Sequence, residues 1–231
     1  MSKPFAWSFT ALDCYVTCPR KYYGERVAKE VPFVESEAMK RGNAIHEALH
    51  MYSIGKKPWP DEYPQKWALL ADALKQKKGS KLYEVEMPIS ADKRPCKEWW
   101  GKDVWCRLKQ DVVMLSPDQT EARAVDWKTG KFKDFSRREI DQLVLAGLII
   151  MIFYPTVEVV ESAYVWLDAG EAPTKRVVTR DRAEQHWRPF EEKVEQVQES
   201  LATNTWPMRP SGLCKEWCDV LSCPKNGRHK K

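Results

Sequence analysis

The sequence contains no run of about eighteen uncharged apolar residues, the length a membrane-crossing helix needs. Its most apolar stretch, Leu143 to Phe153, is too short and lies mid-chain. The first residues, Met1 to Trp7, lack the apolar core and small-residue cleavage site of a secretion signal. Together these absences point to the cytosol. No internal repeat or low-complexity segment interrupts the chain. The phosphate-cradling pattern G-x-x-x-x-G-K-S/T is also missing, which leaves no ATP-driven motor within these residues.

What is present fits one substantial core with decorations: 231 residues, 43% of them hydrophobic. With 38 basic and 33 acidic residues, the net charge of +5 is compatible with nucleic acid and equally with an ordinary surface. Eleven tryptophans are available as core, groove wall or base-stacking surface. Seven cysteines, an odd number, read in a reducing compartment as metal ligands, buried small hydrophobes or reactive thiols rather than disulfides.

Periodicity divides the chain into three parts of one domain: residues 1–80, helical; 81–180, a core of strands; and 181–231, a helix and a Cys-rich tail. Thr10 and Asp13 suggest a capping box for a first helix, broken after Cys18 by Pro19. Ser36 to Ser53 repeats at helical spacing, and Gly42 in its middle implies a close approach by another backbone. Gln65 to Gln76 reads as a short helix. Strands are expected around Leu82 to Met87, Val104 to Leu115, Ala122 to Trp127, Val157 to Leu167 and Arg176 to Thr179. A long, mostly buried helix is expected over Arg137 to Tyr154, and a charged amphipathic one over Arg180 to Thr203. This order predicts an α/β or α+β fold with a central mixed sheet.

The sharpest feature is Asp126-Trp127-Lys128-Thr129-Gly130. Side chains two apart on a strand share a face, so Asp126 and Lys128 project together where the strand meets its turn. Asp111 lies on the preceding apolar strand, and a buried carboxylate there needs a partner. Antiparallel pairing would let Asp111 and Asp126 converge, and two carboxylates suit a hard divalent cation such as Mg²⁺. A lysine beside it can orient water and stabilise charge on a phosphate. Taken singly, each of these residues is more often a surface ion pair; the constellation changes that.

Four patches in order carry a resemblance to the RecB-family branch of the PD-(D/E)xK nucleases, which includes phage exonucleases and CRISPR-adaptation nucleases. Ser8-Phe9-Thr10-Ala11-Leu12 through Cys18-Pro19-Arg20-Lys21-Tyr22-Tyr23 is similar to that family's N-terminal helix. Arg41-Gly42-Asn43-Ala44-Ile45-His46 resembles its G-x-x-x-H helix, Asp111 and Asp126-Trp127-Lys128 its catalytic strands, and Gln142-Leu143 its Q-L motif. The resemblance implies a restriction-endonuclease-like mixed sheet flanked by helices, and a metal-dependent deoxyribonuclease using Mg²⁺ or Mn²⁺. It implies that His46, Asp111, Asp126 and the Trp127 carbonyl hold the metal, that Lys128 positions the attacking water, and that Gln142 orients Lys128 or the scissile phosphate. His50, one turn beyond His46, is read as structural. Leu108 stands where the family has glycine, and Leu145-Ala146 where it often has tyrosine.

The same resemblance implies that Cys18 joins Cys214, Cys218 and Cys223 around a 4Fe-4S cluster stapling the tail to the first helix. Three residues separate Cys214 from Cys218, where the family has two. A zinc site with these thiolates and a set of reduced cysteines remain alternatives, and Cys14 could replace Cys18. Cys96 and Cys106 are expected to pack. Arg20, Lys21, Lys131, Lys133, Arg137 and Arg138 are candidates for contacts to the DNA backbone, against the usual fate of charged loops as solvated surface.

The implied substrate is DNA, single-stranded or at its ends, with exonuclease action and a recombination or repair protein as partner. Rival readings are a non-catalytic DNA-binding adaptor, which would bind without cutting, and an RNA-directed nuclease, which substrate competition separates.

Overall fold

The computed structural model describes residues 5–132, 140–170 and 172–230. The chain begins with a two-residue strand, β1 (Trp7–Ser8), followed at once by α1 (Phe9–Thr17). Ser8, not Thr10, caps α1, its Oγ accepting the Ala11 N–H at 3.4 Å. The chain stays extended through Ser8, so the first free helical donors fall after it. Pro19 opens α2 (Pro19–Tyr22), where its missing N–H is harmless, and a π-helical turn follows at Tyr23–Val27. Ser36 caps α3 (Glu37–Ser53) through the Met39 N–H at 3.2 Å, and α4 (Gln65–Lys75) completes the helical part.

The sheet holds β2 (Ser80–Ile89), β3 (Cys106–Leu115), β4 (Glu121–Lys128), β5 (Val159–Trp166) and β6 (Thr174–Thr179), together with β1. Its main path runs β1-β3-β4-β5-β6, and β2 pairs along the other side of β3. β1–β3 and β4–β5 are parallel, whereas β2–β3, β3–β4 and β5–β6 are antiparallel. The crossover between parallel β4 and β5 contains α5 (Gln142–Phe153). Nearly every residue of α5 from Leu143 to Met151 is buried, which explains a helix with no polar stripe. Residues 137–139 of the helix expected from sequence lie outside the described residues.

Each face of the sheet carries its own apolar layer. On one, α1, α5 and α6 (Ala183–Thr203) pack Leu12, Leu145, Ile149, Phe190 and Val194 against Val113, Ala124 and Val160. Tyr15 and Ser200, both buried, tie α1 to α6 by a 2.7 Å hydrogen bond. On the other face, Ile45 and Leu49 of α3 and Trp67 of α4 cover Val112, Met114, Val125 and Trp127. The result is the restriction-endonuclease-like α/β arrangement, a mixed sheet between helical layers. The tail adds a four-residue helix, α7 (Leu213–Glu216), and a 3₁₀ turn at Gly227–Lys230. No helix among the described residues is long and apolar enough to cross a membrane.

Candidate active site

The strands separate where the chemistry is expected. β3 and β4 pair from Leu115/Ala122 to Val112/Val125 and then part, leaving Asp111 and Asp126 just past the last rung. Two side chains bridge the gap. The buried Gln110 amide donates to the Val125 carbonyl at 2.7 Å, and Asp111 Oδ2 accepts the Trp127 N–H at 2.7 Å. Two backbone groups of β4 freed by the splay are thus satisfied by side chains from β3.

On the α5 side lies a closed polar network. Lys128 Nζ is 2.9 Å from both carboxylate oxygens of Asp126. The Gln142 amide donates to Asp126 Oδ2 at 3.2 Å and accepts from the Tyr164 hydroxyl at 3.1 Å. Lys128 Nζ also sits 4.5 Å from the centre of the Tyr164 ring. Gln142 is the first residue of α5, positioned by the Asp141 cap, which itself pairs with Arg176 at 2.7 Å. The Gln142 amide thus contacts Asp126. Tyr164 stands beside Asp126 in the parallel β4–β5 register, a partnership that only long-range pairing reveals.

On the α3 side, His46 Nδ1 is 3.2 Å from Asp111 Oδ1. Glu84 of β2, which the sequence did not single out, joins them: one donor atom from each of His46, Glu84 and Asp111 lies within 4.8 Å of the others. Glu84 faces Asp111 across β2–β3 at a rung that the ladder skips, and it has φ of 52°, the one left-handed non-glycine residue inside a described strand. Core-facing positions switch parity there in both strands, from Leu82 to Val85 and Met87 in β2, and from Cys106 and Leu108 to Val113 and Leu115 in β3. Left-handed backbone costs a non-glycine residue about 1–2 kcal/mol. The Lys109–Glu84 ion pair at 2.6 Å, with Lys109 half exposed, contributes about 0–1 kcal/mol. Ion pairing alone does not explain a carboxylate held there. In sequence, Leu82-Tyr83-Glu84-Val85-Glu86-Met87 reads as smooth alternation, which hides the break.

Burial raises the Asp126 pKa; the Lys128 ammonium opposes this and the Asp111 charge adds to it. Burial pulls the His46 pKa down, but the hydrogen bond and charge of Asp111 more than offset it, so the net shift is upward. Both shifts describe anionic groups crowded in a desolvated cleft, an arrangement that a divalent cation relieves. The donors, carboxylate oxygens and one imidazole nitrogen, suit a hard to borderline ion.

α3 is locked to the end of β4. A Cβ on Gly42 would meet Thr129 Oγ1 at 3.2 Å, and Arg41 holds both the Thr129 carbonyl, at 3.3 Å, and Asp168 in a two-pronged pair. The close approach anticipated at Gly42 is made by this side chain, not by a backbone. His50, one turn past His46, stays outside the His46–Glu84–Asp111 group.

The four tail-and-helix cysteines come together elsewhere. Cys18, Cys214, Cys218 and Cys223 line one pocket beside α1 and α2. Backbone N–H groups of Arg209 and Ser211 point at Cys18 Sγ and Cys214 Sγ, at 3.4 and 3.5 Å. The segment is fastened by Asn226, whose side chain donates to the Cys218 and Val220 carbonyls, and by Val220 filling the space that a Gly24 side chain would need. Cys14 is not part of it: its thiol faces Glu25, and burial pushes its pKa up to about 12. Cys106 is fully buried in the core, whereas Cys96 is half-buried.

Of the basic candidates, Arg20 pairs with Glu30 and Ser222, and Lys21 with Glu25. Both lie at the cysteine end. Lys131 is exposed just past β4. Lys133, Arg137 and Arg138 lie outside the described residues.

The chain belongs to the PD-(D/E)XK nuclease superfamily, whose sequence profile matches residues 6–223. Among solved structures it is similar to a candidate exonuclease from Eubacterium rectale, with 17% identity, a TM-score of 0.51, and coverage of 98% of this chain and 88% of that one. The protein SSO0001 gives 15% identity, a TM-score of 0.45, and coverage of 98% and 89%. At these identities the likeness is one of fold. No curated protein matches the chain.

Proposed function

We propose that the protein is a RecB-like deoxyribonuclease that hydrolyses phosphodiester bonds at DNA ends with Mg²⁺ or Mn²⁺. One observation carries this reading: at the β3–β4 splay, Asp126 is held by Lys128 and Gln142 on one side, while Asp111 and His46 meet on the other. His46, Asp111, Asp126 and the Trp127 carbonyl would hold the cation. A cation there neutralises phosphate charge and makes water more acidic. Lys128 presents its ammonium at the mouth of β4, where it positions the attacking water and offsets charge building on the phosphate. Gln142, fixed by Tyr164, keeps the Asp126 carboxylate turned toward the cleft. Exposed Lys131, with Lys133, Arg137 and Arg138, grips the DNA backbone beyond the cut without reading sequence. The exonuclease mode follows the description of the Eubacterium rectale neighbour.

The cysteine pocket completes the reading as a 4Fe-4S site. A zinc ion bound at about 2.3 Å would draw its sulfurs to about 3.8 Å from one another. Among the described residues no three cysteine sulfurs come within 4.8 Å. A cluster, with a separate iron for each thiolate, holds them farther apart, and the two N–H···S contacts are the kind that tune such clusters. A brown protein containing four irons after anaerobic purification supports this; a colourless one containing one zinc defeats it.

The catalytic reading is tested with end-labelled DNA and purified protein. Mononucleotide release that needs Mg²⁺ or Mn²⁺, stops with chelator and is lost in Asp126→Ala is the expected result. Cutting that persists in Asp126→Ala and Lys128→Ala sinks the assignment.

A further inference from the structure

Trp7, Trp67, Trp127, Trp166 and Trp187 are each at most 5% exposed, whereas Trp100 is 79% exposed. It sits in the connection between β2 and β3, residues 90–105. Connections longer than about 12–15 residues without regular structure are uncommon in compact domains and mostly serve function. We infer that Trp100 is a stacking platform for an unpaired base of the DNA strand that runs to the cleft, which makes a single strand the preferred substrate over duplex. The inference rests on the proposed nuclease reading and names its substrate class.

The ring is held in place. The Cys96 N–H donates to the Pro88 carbonyl at 2.8 Å, the Trp105 N–H donates to the Ile89 carbonyl at 2.7 Å, and Val104 is buried, so the connection is tied to the sheet at both ends. Arg107 of β3 donates from Nε to the Trp99 carbonyl at 2.6 Å and sets its guanidinium 4.6 Å from the centre of the Trp100 ring. Trp99 meets that ring nearly at right angles, with centroids 6.4 Å apart. These contacts position the indole and still leave most of it to solvent. An aromatic already fixed in this way gives up little freedom when a flat ligand stacks on it.

The ring also stands at the end of a row that leads to the carboxylates. Cross-strand partners share a face, and Met87, Leu108, Ile89 and Cys106 point into the α1–α5–α6 layer. Arg107 and Lys109, with Glu86 opposite Lys109, therefore point to the other side. On that side the α3 layer begins only at Tyr83 and Val112, and Glu86 and Lys109 are exposed. Lys109 reaches Glu84, beside Asp111, at 2.6 Å. Four strand residues, about 13 Å, separate Arg107 from Asp111. That is about four nucleotide rises of a duplex strand, and fewer of an extended one.

The row favours an unpaired strand. Exposed Lys97 and Lys102 flank Trp100 in sequence, but Glu86, Glu98 and Asp103 are exposed there too. In so mixed a field a duplex, which presents chiefly its phosphates, gains little. It also keeps its base faces inside its own stack. An unpaired strand offers those faces, and stacking on an indole is indifferent to sequence, as degradation from an end requires.

The test is fluorescence anisotropy of dye-labelled oligothymidylate with full-length protein in chelator, beside an abasic strand of equal length that keeps the phosphates and lacks the bases. Wild type is expected to bind oligothymidylate more tightly than the abasic strand. Trp100→Ala should weaken oligothymidylate about tenfold and leave the abasic strand unchanged, while Trp100→Phe should keep most of the wild-type affinity. Equal affinity of wild type for the two strands overturns the inference. So does a Trp100→Ala protein that binds oligothymidylate like wild type, or that loses both strands equally. A wild-type dimer that Trp100→Ala turns into a monomer with unaltered DNA affinity overturns it as well, since the ring would then serve a second copy of the chain. Circular dichroism on each variant establishes that it is folded. Binding as expected without any Mg²⁺-dependent cutting would defeat the nuclease reading and leave this one; cutting with unaltered affinity in Trp100→Ala would do the reverse.

Discussion

The carboxylate centre and the cysteine pocket lie in one chain but are assembled by opposite means. The first is made by neighbouring strands: Asp111, Asp126 and Lys128 are positioned by backbone pairing that stops one rung short, and α3 and α5 add His46 and Gln142 from either side. The second joins residues about 200 positions apart in sequence, Cys18 and Cys214, through short turns and a four-residue helix that buries none of its own residues. The lesson is that the sheet can hold its site before any ligand arrives, whereas on the cluster reading proposed above the tail would count its ligand as part of its core.

The contrast can be broken at its strongest point by removing charge from the cleft. Asp126→Ala or Lys128→Ala should lower DNA cleavage about a thousandfold or more. Asp126→Asn should melt no lower than wild type, because it removes a desolvated carboxylate. A large fall in melting temperature in Asp126→Asn would mean that the network is structural.

At the other site the signs reverse. Cys18→Ser or Cys218→Ser should bleach the protein. If the staple acts like a cross-link closing a loop of this length, it contributes about 5 kcal/mol, so the melting temperature should fall by roughly 10–20 °C. Cleavage measured well below that temperature should persist. Loss of turnover without loss of stability would show that the two regions are coupled rather than independent.

Acidity distinguishes the regions next. In the cation-free protein the pKa values of Asp126 and His46 are both raised by folding. The folded state therefore binds more protons than the unfolded one as the pH climbs out of the carboxylate range and through the imidazole range, and stability must drop over that interval. Melting temperatures at about pH 5.5 and about pH 8 should show this decline. Mn²⁺ should reduce it, and Asp126→Asn should flatten part of it. Stability that rises with pH in cation-free protein would contradict both shifts.

The smallest effect is expected at Gly42. Alanine gains about 1 kcal/mol of helix propensity, while its Cβ presses on Thr129 Oγ1. The melting temperature should barely change, and cleavage should fall several-fold as α3 shifts His46. Unaltered cleavage would show that the contact does not set His46.

Much of this is legible in the sequence itself. Ser36 placed the start of α3, the Asp126-Trp127-Lys128-Thr129-Gly130 run announced a strand end, and the apolar block from Leu143 announced α5, because each signal lies within a few residues of its effect. The cysteines could be grouped only by resemblance, since their spacing alone admits zinc or nothing. What stayed hidden depends on pairing between distant segments. β1 is too short to leave a pattern. Tyr164 and Gln110 act through partners 22 and 15 residues away. Glu84 sits in an alternation that looks regular until the backbone turns over. Thr10 was a reasonable cap until Ser8 proved to be the last extended residue.

The splay also bears on solubility. On the side of β3 away from β2, β1 occupies Cys106 and Arg107, β4 occupies Val112 to Leu115, and the four residues between have no strand partner there among the described residues. Bare strand amides ordinarily invite another chain to dock and seed aggregates. Here the vacant stretch is shorter than a typical strand of about five or six residues. It is blocked at both ends and partly filled by the Gln110 carboxamide reaching Val125. The vacant stretch is too short to seat another strand of ordinary length, so the broken ladder offers little template for edge pairing.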